Sequence, residues 1–286
     1  MWLELKAFLC YGIPVKNSLY NNFKSDIEEI TTELCNAEKS PVIFLSKDFA
    51  TLIERLEHIV RDPQYNELSR ELLNTAHFRN LAHQTRRIYE LFEVFLETST
   101  YLDVLAGGRD FLKDQFIGRT FEFAQKESLE AGFNAESKVI FIGGGPFPET
   151  AIAYSKQNNC EITVLDNNAE AVVLSTKIIS ELGLDKNIKI RYCDASEHDY
   201  SGYTHIVMAA LARPKQAILR QICDTMHVDA VVVCRSVEGL REFIYEPAND
   251  DLLEHFTQQS KVYGDDKTIV HSLILKKYSN HSHYLA

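Results

Sequence analysis

The sequence predicts an α/β protein in which an all-helical N-terminal domain precedes a doubly wound, mostly parallel β-sheet of the Rossmann type. Two observations carry this prediction. Up to about residue 132 the apolar residues recur at helical spacing, whereas from Ser137 short runs rich in valine and isoleucine alternate with helical stretches. Strands that alternate with helices imply parallel pairing. We therefore expect a helical domain over residues 1–132 and a Rossmann-like domain over residues 133–286. From this domain order we expect the helical domain to act as a lid over the binding site of the second domain, on the side where a second substrate would bind.

The helical half is divided by residues that break helices. Pro63 and the pair Gly107 and Gly108 interrupt the helical spacing, and Gly132 ends the last predicted helix. The predicted helices are a segment with apolar residues from Leu52 to Val60, a second through Leu72 and Leu73, a third over about residues 80–96, and a fourth over about residues 110–131.

The second half contains five short apolar runs, each typical of a buried strand, and helical stretches between them. The predicted strands are residues 138–143, 161–166, 188–192, 205–210 and 230–234. Two further runs, residues 261–264 and 268–277, lie close together in sequence, and we expect them to form an antiparallel pair at one edge of the sheet.

The charge balance excludes some classes of partner. The 286 residues include 30 Lys and Arg against 41 Asp and Glu, a net charge of −11. Nucleic acids and anionic membranes bind positive surfaces, so we expect neither as a partner and favour a small-molecule role. The apolar start is too short and interrupted for a signal peptide or a membrane span. The six cysteines form no C-x-x-C pair, which is typical of free thiols in the cytoplasm.

A glycine-rich turn between the first predicted strand and its helix is the sharpest local signal. Residues 143–145 are all glycine, and Pro146, Phe147 and Pro148 follow. Glycine permits positive φ and a close approach to a ligand, and the free N–H groups at the helix start can bind a carboxylate or hydroxyl groups. The turn departs from G-x-G-x-x-G because Phe147 and Pro148 replace the later glycine, so a dinucleotide pyrophosphate is disfavoured.

Acidic residues follow the next two predicted strands. Asp166 ends the second strand, where an acid binds the ribose hydroxyls of an adenosine ligand. Asp194 follows the third strand and can accept a hydrogen bond from an adenine amino group. The alternative is a tight turn with two solvated acids. Together the turn and the two acids favour S-adenosylmethionine over NAD, and with it a class I methyltransferase-like sheet.

Three segments of the second half resemble the nicotianamine synthase family. Residues 143–150 (GGGPFPET) are similar to its G-x-G-P-x-P-x-T loop, and residues 209–215 (AALARPK) to its A-A-L-A-x-P-K segment. Residues 235–247 are similar to its segment after strand five, with Arg, Gly, Arg, Tyr and Pro at matching spacing. The helical half is similar more loosely, by order and length. The resemblance is greatest to the bacterial opine-metallophore histidine aminobutanoyltransferases, of the staphylopine type, or to the short archaeal synthases.

The resemblance implies a transferase that does not move a methyl group. Such enzymes transfer the 3-amino-3-carboxypropyl group of S-adenosylmethionine to an amine and release methylthioadenosine, without a metal. In the bacterial members the acceptor is histidine, and a separate opine dehydrogenase then makes a metallophore for metal acquisition. Members commonly pair, so a homodimer is among the expected partners.

The resemblance also implies site residues. The family's proton-accepting carboxylate falls on Glu90 in the third predicted helix, where the alternative is a solvated acid beside Glu93 and Glu97. The archaeal synthases have Arg-Tyr where this chain has Arg119 and Thr120, so the acceptor contacts are expected to differ. The predicted donor-binding residues are Gly143, Gly144, Gly145, Pro146, Phe147, Asp166, Asn167, Asp194, Ala195, Ala209 and Tyr245. The cations predicted to bind a substrate carboxylate are Arg119, Arg213, Lys215, Arg235 and Arg241.

Two other functions stay open at the level of sequence. A conventional S-adenosylmethionine-dependent methyltransferase for a small molecule would use the same fold and would release S-adenosylhomocysteine. A protein that senses an adenosine ligand without turnover would leave the ligand intact.

Overall fold

The computed structural model describes residues 2–37, 44–107, 115–248, 251 and 253–278. Side chains are described throughout these ranges, except that they start at residue 17 in the first helix and at residue 120 in the helix that precedes the sheet. The described residues form eight α-helices and two short 3₁₀ segments, Pro63–Leu68 and Gly239–Phe243. The helices are α1 (Trp2–Ala37), α2 (Lys47–Arg61), α3 (Ser69–Leu73), α4 (Ala76–Leu105), α5 (Gln115–Ala131), α6 (Glu149–Asn158), α7 (Ala169–Glu181) and α8 (Lys215–Thr225).

Seven strands of the described chain form one sheet in the order β3-β2-β1-β4-β5-β7-β6. The strands are β1 (Lys138–Ile142), β2 (Glu161–Asp166), β3 (Ile188–Tyr192), β4 (His205–Met208), β5 (Val231–Ser236), β6 (Phe256–Tyr263) and β7 (His271–Lys277). The first five strands pair in parallel, and β7 joins β5 and β6 in antiparallel pairs at one edge. This mostly parallel, doubly wound sheet confirms the predicted fold class, and the predicted antiparallel edge is also confirmed.

Local sequence sets the start of the helices. Ser46 precedes α2, and its hydroxyl accepts a hydrogen bond from the backbone N–H of Phe49 at 3.1 Å. Such a cap satisfies one of the N–H groups that the first turn of a helix leaves without a partner. The apolar residues from Ile53 to Val60 that predicted this helix lie buried along one face.

The register aligns the carboxyl ends of three strands. Ile142 lies opposite Leu165 on one side and Met208 on the other, so β1, β2 and β4 end at the same edge of the sheet. The chain order reverses at β1, because β2 and β3 lie on one side of it and β4 and β5 on the other. In doubly wound sheets this reversal, at the carboxyl ends of the strands, is where ligands bind.

The chain divides into two compact units that differ from the expected domains. One unit contains residues Met1–Phe92 and Glu238–Glu246, and the other contains residues Glu93–Val237 and Pro247–Ala286. The sheet unit thus takes in the second part of α4 and all of α5, which the expected boundary near residue 132 assigned to the helical domain. The physical reason is burial, since Tyr101 of α4 and Phe123 of α5 belong to one apolar core with the strands.

The segment 238–246 folds with the helical unit through hydrogen bonds and ring contacts. The hydroxyl of Thr85 donates to the carbonyl of Phe243 at 2.6 Å, and Arg86 donates to the carbonyl of Glu242 at 2.5 Å. The Phe243 ring lies 5.8 Å from that of Phe23 in an edge-to-face arrangement. This segment is therefore part of the helical core, although it follows the fifth strand in sequence.

Alternating residues of the strands bury opposite faces of the sheet. Val139 and Phe141 contribute to the core on one face, and Ile140 and Ile142 to the core on the other. Within the described residues, we find no helix with the length and apolar character that a membrane span requires.

Candidate functional site

The turn after β1 can be formed only by small residues. The N–H groups of Gly143 and Gly144 both donate to the carbonyl of Leu165, at 2.8 and 3.3 Å. Gly143 has a φ of 83°, in the left-handed region that favours glycine. A Cβ atom at Gly144 would lie 2.2 Å from Cγ1 of Val164. The turn therefore lies flat against the end of β2.

Asp166 ties the end of β2 to this turn. One carboxylate oxygen of Asp166 accepts a hydrogen bond from the N–H of Gly145 at 2.8 Å, and the other accepts from the N–H of Asn168 at 2.8 Å. The side chain of Asn168 in turn caps α7. Each carboxylate oxygen has two lone pairs, so Asp166 is held in place and can still accept from the hydroxyl groups of a ligand.

The next predicted acid is held by a purely local turn. Asp194 is exposed, and one of its oxygens accepts from the N–H and the hydroxyl of Ser196 at 2.8 and 2.7 Å. The hydrogen bond from the Ser196 hydroxyl has the largest effect and lowers the pKa of Asp194, and the hydrogen bond from the Ser196 N–H group lowers it further. The following residue, Ala195, is buried, and its carbonyl accepts from the hydroxyl of Tyr200 at 2.7 Å. Asp194 thus stays ionised and can accept from an amino group.

The remaining predicted donor residues occupy different environments. Ala209, directly after β4, donates its N–H to the carbonyl of Ile142 at 3.0 Å, and its Cβ atom lies 3.3 Å from where a Cβ on Gly143 would be. Pro146 and Phe147 are buried, and Asn167 is exposed. Tyr245 belongs to the helical unit, where its ring packs against that of Tyr89 at 5.6 Å, so its predicted donor contact stays a prediction.

Glu97 is the functional candidate that the sequence reasoning missed. A Cβ atom on Gly145 would lie 2.1 Å from one carboxyl oxygen of Glu97 and 3.4 Å from the other. The carboxyl group therefore lies directly against the glycine turn, and the N–H of Phe147 donates to it. Gly145 is thus flanked by two acids, with Asp166 on its N–H group and Glu97 on its Cα atom.

The surroundings of Glu97 disfavour its charge. The side chain is half-buried, and its carboxyl group lies against Gly145. Burial raises the pKa of Glu97 well above its ordinary value, and the nearby acids Glu93, Glu149 and Asp166 raise it further, against the lowering effect of the Phe147 N–H group. A half-buried acid whose pKa is raised by its surroundings is a candidate for a group that transfers protons, because shifted pKa values cluster at functional sites.

Glu97 lies on the same helix as Glu90, the position to which the family resemblance pointed. Glu90, Glu93 and Glu97 lie three and four residues apart, so they share one face of α4. Glu90 is half-buried and belongs to the helical unit, whereas Glu97 belongs to the unit that contains the glycine turn. The sequence shows three acids at helical spacing, but it does not show that Glu97 is the one that lies against the glycine turn. The role predicted for Glu90 stays a prediction.

The structure leads us to revise the role of Arg235. Its guanidinium donates to both carboxylate oxygens of Glu127, at 3.0 and 2.8 Å, and to the hydroxyl of Thr150 at 3.2 Å. Glu127 is fully buried and also accepts from Tyr154 at 2.6 Å and from Ser272. Burial by itself lowers the pKa of Arg235, but Glu127 raises it overall. Arg235 therefore holds α5 on the sheet, and its hydrogen bonds are not available for a substrate carboxylate.

Lys215 also has a protein partner. It is 1% exposed, and its ammonium group donates to the carbonyl of Ala210 at 2.8 Å, an arrangement that favours a structural role. Arg213, two residues earlier, is exposed.

Arg241 is half-buried, and its Nε–H group is buried without a hydrogen-bond partner in the described structure. A buried donor is costly unless it is satisfied, so Arg241 has capacity for a ligand.

The predicted acceptor residues Arg119 and Thr120 both lie in α5. Thr120 is half-buried and belongs to the sheet unit, and the side chain of Arg119 lies outside the described residues. Their predicted roles stay predictions. No group of three or more His, Cys, Asp or Glu side chains in the described part of the chain has the arrangement of a metal site.

Comparison with known proteins gives a consistent set of relatives. A family model described as nicotianamine synthase protein matches residues 119–282. The L-histidine 2-aminobutanoyltransferase of Pseudomonas aeruginosa strain PAO1 is 29% identical over 141 residues, which are 48% of this chain and 54% of that protein. Nicotianamine synthase 2 of Arabidopsis thaliana is 27% identical over 150 residues, 49% of this chain and 47% of that protein. The chain spans about half the length of the curated relatives it matches.

Solved structures extend the likeness to most of the chain. The crystal structure of MtNAS in complex with MTA and tNA has a TM-score of 0.79 and 22% identity, and covers 91% of this chain and 98% of that chain. A glutamate-to-glutamine variant of MtNAS in complex with S-adenosylmethionine has a TM-score of 0.77 and 23% identity, and covers 89% of this chain and 98% of that chain. These similarities show that the fold is shared.

Proposed function

Because the chain belongs to the nicotianamine synthase family, we propose that it is an enzyme that transfers the 3-amino-3-carboxypropyl group of S-adenosylmethionine to an amine. One observation carries the proposal furthest: the carboxyl group of Glu97 lies against the same glycine, Gly145, whose N–H group donates to Asp166. This arrangement supports the proposal, because it would put a proton acceptor beside the proposed donor site. The relatives named for 2-aminobutanoyl transfer support the reaction class.

Asp166, the glycine turn and Asp194 are the proposed donor site. Asp166 accepts from the ribose hydroxyls, since its carboxylate is held at the end of β2 by two backbone N–H groups. Asp194 accepts from the adenine amino group, for which its ionised and exposed carboxylate is suited. The small residues of the turn let the donor approach the backbone closely.

The proposed reaction is a displacement at carbon. The unprotonated amine attacks the carbon of the 3-amino-3-carboxypropyl group that is bonded to the sulfonium. A C–N bond forms, the C–S bond to that carbon breaks, and sulfur keeps the electron pair in methylthioadenosine. The sulfonium is already a good leaving group, so the enzyme needs chiefly to hold the two reactants in line. The proton that the amine loses passes to a carboxylate. We assign this role to Glu97, because its carboxyl group contacts the turn that receives the donor.

We propose L-histidine as the acceptor, on the strength of the relatives from Pseudomonas aeruginosa and Yersinia pestis named L-histidine 2-aminobutanoyltransferase. The latter is 25% identical over 134 residues, 47% of this chain and 50% of that protein. Arg241, with its unsatisfied buried N–H group, is the cation we propose for a substrate carboxylate. We further propose that the product is consumed by an opine dehydrogenase in the cytoplasm to give a metallophore.

A single assay tests the transfer. Purified protein is incubated with S-adenosylmethionine and L-histidine, D-histidine or no acceptor, and the products are identified by mass spectrometry. We expect methylthioadenosine together with histidine that carries an aminobutyrate group, with L-histidine preferred. Release of S-adenosylhomocysteine would instead establish a methyltransferase. Donor that stays intact with every acceptor offered would favour a sensor.

A further inference from the structure

The loop between β3 and β4 contains Asp194, the acid proposed to bind the adenine amino group. This loop starts from β3, which lies at one end of the sheet order. Two side chains of α8 hold the loop. The amide of Gln221 donates to the carbonyl of His198 at 2.9 Å, and the hydroxyl of Thr225 accepts from the N–H of Tyr200 at 3.1 Å. The fold itself therefore fixes the position of this loop.

Tyr200 is the buried residue of this loop that carries a polar group into the core. Its side chain is 0% exposed and belongs to the same apolar core as Ile142 of β1 and Leu165 of β2. Its hydroxyl donates to the carbonyl of Ala195 at 2.7 Å. A phenylalanine ring would fill nearly the same apolar space, so packing alone does not account for the hydroxyl group.

The peptide group between Ala195 and Ser196 connects this hydroxyl to Asp194. It is a trans peptide, in which the C=O and N–H groups lie in one plane and point in opposite directions. The C=O accepts from Tyr200, and the N–H donates to a carboxylate oxygen of Asp194 at 2.8 Å. Because Tyr200 holds the carbonyl towards the core, the N–H group is directed towards Asp194.

This connection limits the rotation of an otherwise exposed carboxylate. Asp194 is exposed, and the N–H and hydroxyl groups of Ser196 bind the same carboxylate oxygen. With that oxygen held, the other oxygen faces a ligand in a fixed direction. A fixed acceptor distinguishes a base with an amino group from a base with a carbonyl oxygen at the same position, since the second base leaves the acceptor without a donor.

We infer that Tyr200 is a positioning residue that makes the proposed donor site specific for adenine. Its hydroxyl group fixes the Ala195–Ser196 peptide, and this peptide orients the carboxylate of Asp194 towards the amino group of the base. The inference rests on the proposed donor site, and it adds the residue from which that site gains its preference for one base.

The binding of two nucleosides tests this role. The full chain is titrated calorimetrically with methylthioadenosine and with methylthioinosine, in which a carbonyl oxygen replaces the amino group of the base. We expect the unaltered protein to bind methylthioadenosine about 3–10-fold more tightly, the usual value of one hydrogen bond. In Tyr200→Phe, which keeps the ring in the core, this preference should fall to within about twofold, because the carboxylate is no longer held.

Tyr203→Phe is the matched control. It removes the hydroxyl group of a second tyrosine in the same loop, whose ring lies 5.8 Å from that of His198, against 5.2 Å for Tyr200. Tyr203→Phe should keep the preference of the unaltered protein. Where Tyr200→Phe does not fold, Thr225→Val replaces it in the test, since it removes the acceptor that holds the N–H group of Tyr200. The preference should then fall in Thr225→Val, and an unchanged preference would overturn the inference.

A double substitution shows whether Tyr200 acts through Asp194. In an Asp194→Ala background, Tyr200→Phe should leave the ratio of the two Kd values unchanged, because the group that Tyr200 positions is already absent. A further fall of the ratio in the double variant would show that Tyr200 acts by another route, and would overturn the inference.

The outcomes separate this inference from the proposed function. A Tyr200→Phe variant that binds both nucleosides more weakly by the same factor would show a purely structural role and overturn the inference, while leaving the donor site and the transfer reaction intact. An unaltered protein that binds the two nucleosides equally would overturn the assignment of Asp194 and the inference with it. A preference that depends on Tyr200, in a protein that forms no methylthioadenosine from S-adenosylmethionine, would support the inference and overturn the transfer.

Discussion

Two glutamates in the sheet unit, Glu127 and Glu97, have opposite surroundings. Glu127 accepts hydrogen bonds from Arg235, Tyr154 and Ser272, so its charge is matched by a cation and its lone pairs are used. Glu97 has three acids nearby and a single backbone N–H donor among the groups that act on its pKa. A buried carboxylate that is fully compensated holds a fold together, whereas one that is surrounded by like charge is poised to change its protonation state.

The largest effect should come from Glu97→Gln. Loss of the proton acceptor should lower kcat by about 10²–10⁴-fold, the usual contribution of general acid–base catalysis, and should leave the Kd for S-adenosylmethionine close to that of the unaltered protein. Rates are measured as methylthioadenosine formed per minute, and binding by calorimetry. Normal turnover by Glu97→Gln would show that the proton goes elsewhere, with Glu90 as the next candidate.

Glu127→Gln should act on stability instead. Removing one partner of a buried ion pair leaves Arg235 uncompensated and should lower the free energy of unfolding by about 3–5 kcal/mol. Urea denaturation measures this loss. Glu130→Gln, at an exposed acid on the same helix, should change the unfolding free energy by less than about 0.5 kcal/mol. Equal stabilities of the two variants would show that the Glu127 network adds nothing to the fold.

The pH dependence of stability should depend on Glu97. Because the pKa of Glu97 is raised in the folded state, the folded protein binds a proton more tightly than the unfolded chain. The stability that this provides is complete below the unfolded pKa and is lost as the pH rises through the folded pKa. Glu97→Gln should remove this part of the fall in stability with rising pH, as measured by urea denaturation across that range. An unchanged slope would contradict the raised pKa.

Asp166→Asn and Asp194→Asn compare the two acids at the ends of successive strands. Asp166 is anchored to the turn, so its loss should weaken binding of S-adenosylmethionine by about 1.5–3 kcal/mol, as expected for hydrogen bonds to a charged group. Asp194 is exposed, so its loss should cost about 0.5–1.5 kcal/mol. Calorimetric Kd values test the order, and a larger loss for Asp194→Asn would place the main donor contact on β3 rather than β2.

The smallest effect should come from Glu90→Gln. If Glu97 is the proton acceptor, Glu90→Gln should keep kcat and KM within about twofold of the unaltered protein, in line with the small effects of substitutions away from critical groups. The comparison with Glu97→Gln uses the same chemical change two helical turns apart. A large loss of kcat in Glu90→Gln alone would restore the role that the sequence resemblance implied.

Local patterns were sufficient for much of the fold. The strands β2 and β3 begin and end at the residues that their apolar runs predicted, and the glycine turn and Asp166 occupy the predicted edge of the sheet. These features depend on short-range sterics and on the alternation of strands and helices, and both follow from the local sequence. The fourth predicted helix begins at Gln115 where it is described, and residues 108–114 lie outside the described part of the chain.

The sequence by itself determined the parallel sheet, the turn that only glycine permits and the acid at the end of β2. The tertiary structure alone decided that Glu97 lies against Gly145, that Arg235 is paired with Glu127, and that residues 238–246 fold with the helical unit. The physical reason is distance along the chain. A helical period places acids on one face of α4, but which of them lies against the glycine turn depends on contacts between residues far apart in sequence.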